Sequence, residues 1–194
     1  LNTDFGDRPT RLGRMFAFAY GTKENGAVFS HMAVMYAYAL YERGFVHEGF
    51  EALSALFEHA LDFETSRIYP GVPEYFEPDG RGAYHYLTGA GAWTLRTVVG
   101  QMYGIRGRLG AMFIEPKLLA RQFDRNGTAS VKLRFGRLSW TVTYFDPLGL
   151  DYGQYRPELR LDGMPLPGNT VPRRFTEEAE PGSEHRLEVF LKEK

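Results

Sequence analysis

The sequence predicts an α+β chain in two pieces, helices first and a β-sandwich-like unit after them. Three observations carry that reading. Up to about residue 110 apolar residues recur at helical spacing; after Gly110 the period becomes two. The composition, 43% hydrophobic and 15% aromatic over 194 residues, is ample for a sizeable core. The predicted division is 1–111 for the helical part and 112–194 for the β-domain.

The elements follow in order. Phe29 to Arg43 (FSHMAVMYAYALYER) is apolar nearly all round and stops at Gly44, the pattern of a buried helix. Val46 to Leu61 carries Phe50, Leu53, Leu56, Phe57 and Leu61 at helical spacing, with Glu48, Glu51 and Glu58 off that stripe. Ile68 to Gly82 holds three prolines and three glycines and predicts a loop. A third helix is predicted from about Leu87 to Tyr103, stopped by Gly104. Its start, YLTGAGAW at 86–93, is unusual, because glycine in a helix costs close to about 1 kcal/mol against alanine. Two readings fit. An anion could sit against the unpaired N–H groups of the helix start, or the glycines could serve a cap and tight helix packing. Antiparallel helices of this kind suggest a bundle or an α/α barrel. Beyond Gly110, residues 130–135 and 139–144 alternate and are joined by Gly136-Arg137, a hairpin signal. Residues 158–163 and 186–191 read as further strands, and the stretch between Gly163 and Ser183 as loop. There is no internal repeat.

Lys and Arg total 23 against 24 acids, a net charge of -1, which argues against nucleic acid or an acidic membrane surface as main partner. The absence of cysteine excludes disulfides, thiolate zinc sites and cysteine nucleophiles. No apolar run reaches membrane-span length and no signal peptide is visible, so a cytoplasmic location is expected. The start at Leu1 suggests a processed or truncated piece of a longer chain. HEGFE at 47–51 lacks the second histidine of a zinc site, so no metal is expected. His47, His59 and His185 read as surface residues. His31, one turn into an apolar helix, is either a core histidine with one hydrogen bond or an anion ligand. Glu74 lies among Tyr69, Tyr75 and Phe76 in the proline loop, either an ordinary loop carboxylate or part of a sugar site. No Ser/His/Asp order and no P-loop is seen. No stretch stands out as the carboxylate pair that an inverting hydrolase needs. Phosphorolysis needs less: one acid for the leaving oxygen, and cations, hydroxyls, histidines and N–H groups that hold phosphate.

Three blocks, KENGAVFSH (23–31), YPGVPEYF with GRGAYHYLTGAGAW (69–76 and 81–93), and GIRGRLGAMFIEPKL (104–118), resemble the C-terminal part of glycoside hydrolase family 94, the inverting disaccharide and oligosaccharide phosphorylases. Within it, NGAVFSHMAVMYAYALYERGF and YPGVPEYF are most similar to the 1,2-β-oligoglucan phosphorylases and to the phosphorylase-like domain of cyclic β-1,2-glucan synthases. The resemblance implies the last helices of an (α/α)6 barrel followed by a small C-terminal β-sandwich domain. It implies phosphate binding by His31, Thr88 and Gly89, the glycine admitting phosphate to the backbone. It implies substrate contacts at Lys23, Glu74, Tyr75 and Arg14. Where the cellobiose enzymes carry a tyrosine and an acidic sugar contact, this sequence has Phe18 and Arg14, which fits a differently linked glucan.

The family's general acid lies upstream, so no catalytic residue is expected in this segment and the chain alone should be inactive. Its implied partners are a glucooligosaccharide, inorganic phosphate as co-substrate with no other cofactor, and the remainder of the same enzyme chain; a homodimer is left open. The function implied is reversible phosphorolysis of β-1,2-linked glucooligosaccharides to α-glucose 1-phosphate. Alternatives are a cyclic β-1,2-glucan synthase domain, a cellobiose or cellodextrin phosphorylase, and a non-catalytic carbohydrate-binding module.

Overall fold

The computed structural model describes residues 13, 18–68, 71–85 and 88–194. The chain is α+β and divides into two compact units, Leu1–Thr97 and Val98–Lys194.

In the first unit, β1 (Val28–Phe29) leads straight into α1 (Ser30–Glu42). Three residues later α2 (Val46–Leu61) begins, followed by the short α3 (Phe63–Ser66). Val34, Ala37 and Tyr41 of α1 face Val46, Gly49, Leu53, Leu56 and Ala60 of α2, and all are buried. Gly49 lets the helices close up, since a methyl group there would lie 2.8 Å from the Tyr41 ring. The all-round apolar character of α1 does not make it fully buried: Met32, Met35 and Tyr36 are exposed. Leu61, counted on the α2 stripe, sits in the last position of the helix and is 77% exposed. The proline loop carries two short strands, β2 (Tyr75–Phe76) and β3 (Gly82–Ala83), which form an antiparallel three-stranded sheet in the order β1-β2-β3. The third helix, α4 (Gly89–Thr97), continues into one π-helical turn, Val98–Met102, and the helical run ends next to Tyr103 as its pattern predicts. Trp93 of α4 packs edge-on against Tyr38 of α1 at 5.2 Å, with the Arg96 guanidinium over both rings.

The second unit holds two sheets. A small one has the order β10-β5-β4, from β4 (Ile105–Arg108), β5 (Ala111–Ile114) and β10 (Thr170–Val171). A five-stranded one has the order β6-β7-β11-β8-β9, from β6 (Thr128–Phe135), β7 (Leu138–Phe145), β8 (Tyr155–Leu161), β9 (Met164–Leu166) and β11 (Glu184–Glu193). The hairpin at Gly136-Arg137 pairs β6 with β7 as the alternation predicts. Beta11 lies between β7 and β8, parallel to the first and antiparallel to the second. Leu138, Trp140, Val142 and Tyr144 of β7 and Leu187, Val189 and Leu191 of β11 share one buried face. The residues between Gly163 and Ser183 are not a plain loop. They form β9, β10 and the short helix α5 (Arg173–Glu178). Beta4 and β5 lie in the second compact unit, which begins at Val98.

The segment 116–122 crosses the second unit without strand pairing, so its backbone polar groups need side-chain partners. Tyr155 supplies them: its hydroxyl accepts from Leu118 N–H at 2.8 Å and contacts the Pro116 and Leu118 carbonyls. Burial holds the Tyr155 hydroxyl far above its ordinary value of 10.0. The folded protein thus retains a proton that the unfolded chain releases, and this contribution to stability is present below about pH 10 and lost as pH rises beyond it. Tyr155→Phe should cost about 1–3 kcal/mol at pH 7, because Leu118 N–H is left buried and unpaired. Urea unfolding from pH 7 to 11 checks both, with the alkaline loss smaller in the variant.

Candidate functional site

Of the residues named from the sequence, His31, Thr88, Gly89 and the Glu74 backbone lie at the starts of α1 and α4. Helix α1 has no side-chain cap; its first N–H, from Ser30, donates to the Glu74 carbonyl at 2.8 Å. Glu74 N–H in turn donates to the Ala83 and Tyr84 carbonyls at 3.1 and 2.8 Å. The loop strands thereby brace the helix start, and Glu74 reaches the region through its backbone. The Ser30 hydroxyl is buried and has no hydrogen-bond partner among the described residues.

His31, half-buried in the first turn of α1, lies against the start of α4. A methyl group on Gly89 would stand 2.7 Å from His31 Nδ1 and 2.8 Å from Nε2. Gly89 does not use the left-handed region of backbone space. The room it leaves is taken by an imidazole ring, and that close approach is what the glycine at this helix start provides. Thr88 caps α4, its hydroxyl accepting from Ala90 N–H at 3.1 Å and keeping its own hydrogen to donate. Two helix starts, one imidazole and one hydroxyl thus converge, an arrangement of donors and partial positive charge suited to an anion.

Lys23 lies on the aromatic rings of Tyr84 and Phe18. Its Nζ sits 4.3 Å over the Tyr84 ring and 5.6 Å from the Phe18 ring. Lys23 and Tyr84 both hold left-handed backbone, with φ of 50° and 55°. Such strain costs on the order of 1–3 kcal/mol per residue, and here two strained residues face each other. Tyr84 was missed as a site residue, although GRGAYHY stands within the distinctive blocks. Tyr75 is 4% exposed and packs with Ala27 and Phe29, with its ring 6.2 Å from Tyr84. Burial, reinforced by the Glu77 charge, raises its hydroxyl above the ordinary value. This places Tyr75 beneath the Lys23–Tyr84 pair rather than on the surface.

Arg14 lies outside the described residues. Of the histidines read as surface residues, His47 is exposed. His59 instead is half-buried, hydrogen-bonded to the Gly80 carbonyl at 2.8 Å and edge-on to Phe76 at 4.5 Å. Beside it a pocket of about 430 Å³ opens between α1, α2 and the β2–β3 hairpin, lined mostly by small apolar side chains such as Ala33, Ala52 and Ala55. None of the site residues above lines it. Among the described residues no group of three or more His, Asp or Glu side chains is arranged to hold a metal ion, and no helix is long and apolar enough to cross a membrane.

No protein-family profile matches the chain. Two curated proteins are distant relatives, and both are glycoside phosphorylases. Cellobionic acid phosphorylase of Neurospora crassa is 27% identical over 149 residues, covering 66% of this chain and 18% of that protein. The 3-O-beta-D-glucopyranosyl-beta-D-glucuronide phosphorylase of Paenibacillus borealis is 24% identical over 211 residues, covering all of this chain and 26% of that protein. The chain thus spans about a fifth to a quarter of the length of the curated relatives it matches.

Proposed function

We propose that the chain is part of an inverting glycoside phosphorylase that exchanges a β-linked glucoside and phosphate for α-glucose 1-phosphate, with its helical unit completing an (α/α)6 barrel. The observation that carries this is the convergence of the α1 and α4 starts, with the His31 ring seated on Gly89. Phosphate is already anionic and is itself the nucleophile, so its site needs donors held in place rather than a base. His31, the hydroxyl hydrogen of Thr88 and the first-turn N–H groups of α4 other than that of Ala90 supply donors on two helices, whose dipoles favour the anion without rearranging. Lys23, fixed over Tyr84, and Glu74 border the sugar side, and Tyr75 supports Tyr84 from below. The general acid comes from the rest of the protein.

For the acceptor we infer a β-1,2-linked glucooligosaccharide, on the NGAVFSH and YPGVPEYF blocks and on Phe18 and Arg14. A second reading has its own support. The names of both relatives specify an acidic sugar, an aldonic acid in one and a glucuronide in the other. Arg14, a cation where the cellobiose enzymes carry an acid, suits a carboxylate-bearing acceptor equally well.

The experiment is synthesis by the full-length protein from α-glucose 1-phosphate with sophorose, cellobiose, gluconate or glucuronate, reading phosphate release. Fastest release with sophorose supports the β-1,2 acceptor. Fastest release with gluconate or glucuronate moves the assignment to acidic acceptors. No release with any of these overturns the phosphorylase reading.

A further inference from the structure

We propose that Ser183, His185 and Asp162, in the Val98–Lys194 unit, form a second reactive site in which Ser183 is a nucleophile toward small uncharged carboxylic esters. No Ser/His/Asp order is visible along the chain, because the acid comes from a hairpin turn, the serine from the residue before β11 and the histidine from the start of β11. Folding puts them in line. Ser183 Oγ is 2.7 Å from His185 Nε2, and His185 Nδ1 is 2.8 Å from Asp162 Oδ2.

Each member is held. Asp162 occupies the β8–β9 turn with φ of 49°. Its N–H donates to the Arg186 carbonyl at 2.9 Å, and its Oδ1 accepts from Arg186 N–H at 2.8 Å. The second oxygen, Oδ2, is then fixed to accept from His185 Nδ1–H, which leaves Nε2 with the lone pair that accepts from the Ser183 hydroxyl. The imidazole is held between Trp140, 5.4 Å away, and Phe175 of α5, edge-on at 5.0 Å. Its side chain is only 15% exposed, while that of Asp162 is 45% exposed. Ser183 is half-buried and follows the exposed Gly182, which gives a ligand access to it from solvent. The order is nucleophile, base and orienting carboxylate, recognised by geometry rather than by position in the chain. Glu180 and Glu184, both exposed, flank the serine and disfavour anionic ligands.

In the reaction, Ser183 Oγ bonds to the acyl carbon as its proton passes to His185 Nε2. The bond from that carbon to the ester's alcohol oxygen breaks, and the alcohol leaves with the proton from His185. Water then attacks the acyl-serine with His185 again taking a proton, which releases the carboxylic acid and restores Ser183. Covalent capture reads this nucleophile directly. The intact protein is treated with a fluorophosphonate probe, native and urea-unfolded, and Ser183 occupancy is followed by peptide mass spectrometry, with p-nitrophenyl acetate hydrolysis in parallel. Ser183 should react on the order of a hundredfold faster in the folded protein, and Asp162→Asn should remove a comparable factor. Asn is tolerated in left-handed backbone, so this variant stays informative if His185→Gln fails to fold. Equal rates in folded and unfolded protein would overturn the proposal, as would a folded rate that Asp162→Asn leaves unchanged. The residues involved are separate from His31, Thr88 and Gly89, so this result and the acceptor assay can fail independently.

Discussion

Gly104→Ala is expected to destabilise the Val98–Lys194 unit severely. Gly104 has a φ of 68°, which costs an L-residue about 1–2 kcal/mol. A methyl group there would also run into the carbonyl of Glu115 and stand 2.5 Å from Pro116 N, all backbone atoms. The two strands cannot part to admit it, because Glu115 N–H donates to the Gly104 carbonyl and Lys117 N–H to the Met102 carbonyl, both at 2.9 Å. The sum should exceed about 4 kcal/mol, a loss that single substitutions reach only through a definite defect of this kind. For a unit of this size the melting temperature should fall by more than about 16 °C. Gly136→Ala is the control: its φ is 62° but nothing lies within 4 Å of the added methyl. That variant should show the backbone cost alone. Equal shifts for the two variants would mean that the Glu115 carbonyl yields.

Gly89→Ala should damage both folding and phosphate handling. Judged by helix propensity alone, alanine would be neutral or stabilising by about 1 kcal/mol. The His31 ring reverses that sign, since overpacking of this kind costs about 1–3 kcal/mol unless the ring turns aside. Either way the imidazole leaves its place, and misplacement of a binding group by about 1 Å can slow turnover about a hundredfold. His31→Ala alone should weaken phosphate binding by about 1.5–3 kcal/mol while the fold persists. The decisive measurement is the double variant. With the ring gone the methyl has room, so thermal stability should recover relative to Gly89→Ala, a coupling of about 0.5–3 kcal/mol. Strict additivity would show that ring and glycine do not meet.

Sequence periodicity located the parts whose environment is local. Helix α2 spans the residues its pattern marks, and the β6–β7 hairpin follows its alternation and its Gly136-Arg137 turn. Beta4 and β5 were hidden because each is only four residues long, too few positions for a period to register, and Gly107 interrupts β4 while Gly104 and Gly110 flank it. Helix α5 lies in a stretch rich in Pro, Gly and Glu, where Phe175 contacting Trp140 supplies the packing that the local sequence does not announce. His31, Thr88 and Gly89 were each legible as candidates, but that one ring fills the space left by one glycine is a fact of two helices meeting. His185 read as a surface residue because its partners, Asp162 and Phe175, are set beside it only by tertiary structure.

The parallel pairing of β7 with β11 sets the order in which the sheet can be made. Beta6 and β7 close on each other through a two-residue turn, and β8 with β9 do the same, so both hairpins can form while synthesis is still under way. Neither hairpin touches the other within the sheet; β11 lies between them and leaves the ribosome after both. Until it arrives, the two inner edges, β7 and β8, are open to pairing with strands of other molecules. Closing them requires contacts across tens of residues, which is the slow step for β topologies. Expression temperature and chaperone supply should therefore govern soluble yield more than the equilibrium stability of the finished unit does.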